Sequence, residues 1–210
     1  MTSIEERLEQ LTLHQADILA RQSIEEVLAR YARAIDRLDL ELLKTVFHED
    51  GINHEYGGGE SNLHRWSEHI IPQLKSLFAG TMHHITHKSI TVSGERAASE
   101  AYFISYHLVS GGRAEVVRFF GEQYAQRVEA LDRLDTGHEY IGAGRYLHRW
   151  ERRNGLWKIS ERTATLEWNH YRPATPAEAG SMLATIVPLD RRDRTDPVYG
   201  LLASLSGASS

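Results

Sequence analysis

Apolar side chains recur at helical intervals through the first part of the chain. Ile4, Leu8, Leu11 and Leu13 stand near this spacing in an otherwise polar leader, and Ile24, Val27, Leu28, Tyr31, Ile35 and Leu38 mark a stronger amphipathic helix. Asp39 can cap a second helix carrying Leu42, Leu43, Val46 and Phe47, which Asp50-Gly51 ends with a turn. An extended piece at 52–56 precedes Gly57-Gly58-Gly59, and a third helix is predicted over 62–78, kinked or interrupted where Pro72 lacks a backbone donor. The period then shortens. Residues 86–92, 97–109, 138–150 and 156–168 read as strands, separated by Ser93-Gly94, Ser110-Gly111-Gly112 and Asn154-Gly155. Within 113–136, Val116, Phe120, Tyr124, Val128 and Leu131 return to helical spacing, which predicts a helical insertion able to act as a lid.

Helices followed by an antiparallel meander make an α+β pattern, in which a curved sheet wraps around N-terminal helices and leaves a cone-shaped internal cavity. Three segments are predicted: a helical leader at 1–22, the α+β domain at 23–172 with its insertion at 113–136, and a tail at 173–210. Pro173, Pro176, Pro188 and the Arg191-Arg192-Asp193-Arg194 cluster suit a tail that packs over a surface, here expected to be a neighbouring subunit.

Composition narrows the function classes. An apolar fraction of 41% and a charged fraction of 25% over 210 residues are ordinary for a globular chain. The formal charge of -5 is spread among interspersed acids and bases, so there is no cationic surface for nucleic acid. No run approaches the roughly 20 apolar residues of a membrane span, and the charged start is unlike a secretory segment; a cytoplasmic protein without membrane partners is expected. With no cysteine, chemistry must come from other side chains.

Asp36 falls near the end of the strong helix, where the helix dipole disfavours a carboxylate and something must compensate. It reads either as a solvated acid beside Arg37 or as a functional group. Tyr31 reads by default as a core aromatic whose hydroxyl finds a partner. His83, His84 and His87 crowd a strand start and invite a metal hypothesis. On a strand, however, residues four apart are separated by about 13 Å, too far to share one ion, so no metal site is expected without distant ligands. A histidine beside a carboxylate is a different matter: the acid fixes the tautomer and leaves the other ring nitrogen as a general base.

Five segments in order carry a resemblance: Tyr31 to Asp39 (YARAIDRLD), Phe47 to Gly51 (FHEDG), Met82 to His87 (MHHITH), Gly144-Arg145-Tyr146, and Trp157 to Arg162 (WKISER). Together they resemble the SnoaL-like family of the nuclear transport factor 2-like superfamily, which includes scytalone dehydratase, bile acid dehydratase and hexachlorocyclohexane dehydrochlorinase. The resemblance implies a cone fold, an Asp36-His83 dyad with His83 as base, Tyr31 as a hydrogen-bond donor to substrate, and Arg162 stabilising charge on a leaving group. It also turns His84 away from the cavity. Strand parity adds substrate-contacting positions: Asn53 and Glu55 on the first strand, Phe103, Ser105 and His107 on a later one, and Arg162 with Trp168 on the last; Tyr146, with Tyr56, Phe103 and Trp168, is an aromatic suited to a planar or aromatic substrate. A Glu55 carboxylate in an apolar cavity would have a raised pKa and serve as a second acid or base, and His107 could be a second acid.

The expected function is a cofactor-independent lyase acting in aromatic compound catabolism. It would take a proton from carbon and expel water, or take one from a hydroxyl and release a small aldehyde such as formaldehyde by retro-aldol cleavage. An isomerase or cyclase using the same dyad, and a non-catalytic binding or assembly module, are the competing readings. Relatives are often trimers, so a homotrimer is expected, with the leader and tail as interface material.

Overall fold

Ser3 starts the first helix with a capping box: its hydroxyl accepts the Glu6 N–H while the Glu6 carboxylate accepts the Ser3 N–H. In the computed structural model, which describes residues 3–186, 188 and 190–206, helix α1 then runs unbroken over Ile4–Asp36. The extreme ends of the predicted leader and tail lie outside the described residues. The expected boundary after residue 22 falls within α1, because Gln22-Ser23 contains no helix breaker and the Ser23 hydroxyl donates to the Leu19 carbonyl inside the helix. Leader and domain helix are one element of 33 residues. Only its second half is buried, through Ile24, Val27, Leu28, Tyr31 and Ile35, whereas Ile4, Leu8, Leu11 and Leu13 are exposed.

Leu38, at φ 52, ends α1 in the left-handed region and lets the Asp39 N–H reach back to the Ala34 carbonyl. Asp39 then caps α2 (Leu40–Thr45), its carboxylate accepting the Leu42 N–H at 3.0 Å. Strand β1 (Phe47–His54) and the short β2 (Glu60–Asn62) form a hairpin, Asn62 caps α3 (Leu63–Leu77), and Pro72 is carried inside α3 without interrupting it. Proline there deprives the Glu68 carbonyl of its helical donor, and the helix continues on both sides.

Four long strands follow: β3 (Phe78–Ser93), β4 (Arg96–Val109), β5 (His138–Arg153) and β6 (Leu156–Pro173). The sheet order is β2-β1-β6-β5-β4-β3, antiparallel throughout except where β1 runs parallel to β6. The sheet curves without closing, and α1 lies in its concave side against β3 and β6. Period two is plain on β4, where Ala97, Ser99, Ala101, Phe103, Ser105, His107 and Val109 turn inward and are buried. The core joins these positions to the buried face of α1 and to Phe47, Leu63, Trp150 and Ile159.

The predicted insertion is two short helices, α4 (Arg113–Phe120) and α5 (Glu122–Glu129), broken at Gly121, whose φ of 89 a side chain would resist. They build a small second core from Val116, Tyr124, Ala125 and Val128, in which the Tyr124 hydroxyl donates to buried His138 at 2.9 Å. Part of the tail packs on its own chain: Arg194 and Tyr199 both donate to Asp39, at 3.0 and 2.8 Å, and Arg37 pairs with Asp196 at 3.3 Å. A final helix, α6, spans Pro197–Ser206.

One irregularity redirects the site. Gly144 pairs with Leu166 but Ala143 pairs with Trp168, so Glu167 is an extra, bulged residue on β6. The strands close tightly there, since a Cβ on Gly144 would meet the Thr165 carbonyl oxygen at 1.8 Å. Gly144→Ala is therefore expected to destabilise the fold by about 3 kcal/mol or more. A lowered urea midpoint checks this; an unchanged midpoint would mean that the β5–β6 backbone yields freely.

Candidate active site

Helix α1 delivers Asp36 at its last residue, where four carbonyls crowd the helix end and a carboxylate is electrostatically disfavoured. His83 on β3 supplies the compensation. Asp36 Oδ1 lies 2.7 Å from His83 Nδ1, and Asp36 Oδ2 accepts the His83 backbone N–H at 2.8 Å. Asp36 is only 7% exposed. Burial raises its pKa, but the hydrogen bonds and charge of His83 outweigh this and leave the carboxyl below its ordinary value. An ionised Asp36 makes Nδ1 the protonated nitrogen, so the other ring nitrogen carries the lone pair, and it has no protein partner among the described residues.

His83 faces a cavity of about 850 Å³, bounded by α1, α3 and the concave sheet. Beside it on β4 stands His107, ring to ring at 5.3 Å in an edge-to-face contact. Burial first, and then the neighbouring His83, push the His107 pKa down to about 3, so this imidazole is neutral across the physiological range. Its Nδ1 has no partner.

Further along the cavity Arg162 projects from β6 and is 5% exposed. Its Nη1 donates to Asn53 Oδ1 at 2.8 Å and its Nη2 to the Tyr31 hydroxyl at 3.1 Å. The guanidinium lies over the rings of Trp66, Tyr146 and Tyr31, at 4.5, 5.2 and 5.8 Å from their centroids. Phe103 stacks on Tyr146 at 4.3 Å, and Ser105 donates to the Gly142 carbonyl at 3.3 Å. Behind Tyr146, and outside the cavity lining, His148 is buried with both ring nitrogens unpartnered; burial and the Arg162 charge lower its pKa to about 3.

Tyr31, Asn53, His83, Phe103, Ser105, His107, Tyr146 and Arg162 thus line one cavity, with Asp36 directly behind His83. Two sequence expectations need correction. Glu55 lines the cavity only at its rim and is exposed, because β1 stops at His54 and Glu55 opens a turn in which its N–H bonds the Gly59 carbonyl. The carboxylate stands in contact with solvent and not inside the apolar chamber. Trp168 is 51% exposed and does not line the cavity, since the bulge at Glu167 flips the parity of β6 beyond Leu166. Leu166 occupies the cavity wall instead, while His84 lies exposed.

Sequence reading missed four contributors. Trp66 and Ile70 reach the cavity from α3, on the same apolar stripe as Leu63 and Leu74, and the spacing alone could not separate wall from core. Phe119, from the insertion, packs against Phe78 and Tyr140 at 5.1 and 5.2 Å and closes one side. Arg192 of the tail donates to the carbonyls of Phe78 and Leu74, pinning the α3–β3 junction. Among the described residues no three His, Cys, Asp or Glu side chains gather as metal ligands would, and no helix is long and apolar enough to cross a membrane.

Comparison with known proteins agrees with this architecture. Residues 16–163 match the family model of the SnoaL-like domain. No curated protein matches the chain. Among solved structures, a scytalone dehydratase-like protein of Novosphingobium aromaticivorans superposes with a TM-score of 0.58 at 19% identity, covering 80% of this chain and 98% of that one. The hexachlorocyclohexane dehydrochlorinase of Novosphingobium barchaimii gives 0.57 at 16% identity, covering 82% and 97%. At such identities the likeness is one of fold.

Proposed function

The chain belongs to the SnoaL-like family of the nuclear transport factor 2-like superfamily, and from this premise we propose that it is a cofactor-independent lyase acting on a small, hydroxylated, aromatic or polycyclic substrate. The observation that carries the reading is the two-point grip of Asp36 on His83, through Nδ1 at 2.7 Å and the backbone N–H at 2.8 Å, at the wall of a largely apolar cavity. Such a grip leaves the other ring nitrogen available to a substrate in the cavity that His83 lines, as a general base requires.

Two eliminations suit this base. If Nε2 takes a proton from carbon, the electron pair forms a double bond to the neighbouring carbon, whose hydroxyl departs as water after taking a proton from the His83 imidazolium. If it takes the proton of a hydroxyl, a carbonyl forms, the adjacent carbon–carbon bond breaks, and the released carbanion takes that proton back from the His83 imidazolium as the aldehyde leaves. Tyr31, its hydroxyl held by the Arg162 N–H, lines the same cavity and can donate to a substrate oxygen. The kinship of fold with dehydratases and dehydrochlorinases supports elimination over simple binding.

Incubation of aromatic alcohols and diols with the wild type and His83→Ala, read by product mass, tests the proposal. A product lighter by one water or one formaldehyde, formed only by the wild type, is expected. A product of unchanged mass would make the protein an isomerase or cyclase, and no dyad-dependent product from any ligand that binds would make it a binding module.

We also propose a homotrimer. The support is apolar surface left bare on the single chain: Ile4, Leu8 and Leu11 on the projecting half of α1, and Met82, Tyr102, Ile104 and Trp168 on the outer sheet face. Light scattering is expected to return three times the chain mass of 23.9 kDa; the monomer mass would contradict this.

A further inference from the structure

Arg162 is a buried cation without a counter-ion. It forms no ion pair among the described residues, and its hydrogen bonds go to a neutral amide and a neutral hydroxyl. A guanidinium has five N–H donors, and the two bonds found leave three without a protein partner; the Nε–H is buried and unpaired. Aromatic faces on three sides attract the charge but cannot neutralise it. The carboxylate that lines the cavity, Glu55, sits at the exposed rim. A charge in this position is costly unless something that visits the cavity pairs with it.

The position of the charge says how a visitor would lie. Tyr31, which holds Arg162, precedes Asp36 by five residues on the same helix, about 7.5 Å of axial rise. Asp36 in turn holds His83, and since Arg162 and His83 both line the cavity with no contact between them among the described residues, the cation and the base meet a visitor at separate points of its wall. The wall between them offers the stacked Phe103 and Tyr146.

We infer that Arg162 is an anion subsite, and that the substrate is a planar aromatic compound bearing an acidic oxygen, a carboxylate or a phenolate, at the end remote from the bond that reacts. This rests on the lyase reading for what happens at His83, but the anion subsite stands on the unpaired guanidinium alone. Arg162 then anchors the ground state instead of touching the leaving group, and Asn53 and Tyr31 are positioning residues that fix the plane of the guanidinium.

Binding distinguishes the inference from the lyase reading, because it needs no turnover. Calorimetry on the wild type with cinnamate against cinnamamide, and with 4-nitrophenolate against 4-nitroanisole, compares an anion with a neutral molecule of like shape and separates the carboxylate from the phenolate. At least tenfold tighter binding of one or both anions is expected. The preference should vanish in Arg162→Gln, survive in part in Arg162→Lys, and persist in His83→Asn. Equal binding of anion and neutral partner by the wild type, no binding of either anion at millimolar concentration, or a preference that survives in Arg162→Gln overturns the inference. Because the first comparison uses the wild type, it stands even if Arg162→Gln does not fold. An anion preference without any turnover would sink the lyase reading and leave the subsite intact; turnover without anion preference would do the reverse.

Discussion

Asp36→Asn is expected to lower kcat by roughly 10²–10⁴-fold, the range that a positioned general base supplies, while the chain still folds. The asparagine carbonyl can still accept the His83 backbone N–H that Asp36 Oδ2 accepts now. Its amide, however, would offer an N–H to Nδ1, where the carboxylate now accepts one at 2.7 Å. That favours the tautomer in which the cavity-facing nitrogen is protonated, and a protonated nitrogen takes no proton. Placed on a His83→Ala background, Asp36→Asn should cost little more, because the two residues act as one unit. Steady-state kinetics on the single and double variants checks both statements. Additive losses would show that Asp36 contributes something other than holding the imidazole.

The second large effect is on stability. His107 and His148 both titrate at about 3 in the fold, burial being the main cause for each. Their ordinary value is about 6.5, so between these limits the unfolded chain binds two protons that the native chain refuses. A depressed histidine pKa means that stability is complete above the unfolded value and drains as pH falls through it. The slope is about 1.4 kcal/mol per pH unit for each histidine. By about pH 4.5 the loss is on the order of 5 kcal/mol, comparable with the whole stability of an ordinary domain. Asp36 and Asp39 work in the same direction at still lower pH, because their folded carboxyls lie below the ordinary value and their contribution is lost as they are protonated. Urea midpoints measured between neutrality and mild acid should show this decline, with about half the slope in His148→Gln. A midpoint independent of pH would mean that the two imidazoles are hydrated in the native state.

The elements that alternate or repeat strictly were the ones legible in sequence. The period-two stretch of β4 assigned Phe103, Ser105 and His107 to the cavity side, and the apolar stripe of α1 set Tyr31 inward. The Asp36-His83 pairing joins residues 47 positions apart, so it entered through a resemblance and not through periodicity. What failed depended on single residues that break a period. One bulged residue, Glu167, moved Trp168 to the outer face, and a turn beginning two residues early, ahead of three glycines, took Glu55 to the rim. The tail showed no period in sequence, and its grip on Asp39 and on the α3–β3 junction comes from Arg192, Arg194 and Tyr199, whose partners are distant in sequence.

The orientation of one imidazole carries the account, and it can be read without knowing the substrate. A ¹⁵N–¹H correlation spectrum of the histidine rings at about pH 8, with His83 assigned by its loss in His83→Asn, reports which nitrogen holds the proton. The account predicts a protonated Nδ1 and a bare Nε2 in the wild type, reversed in Asp36→Asn. A proton on Nε2 in the wild type would contradict it.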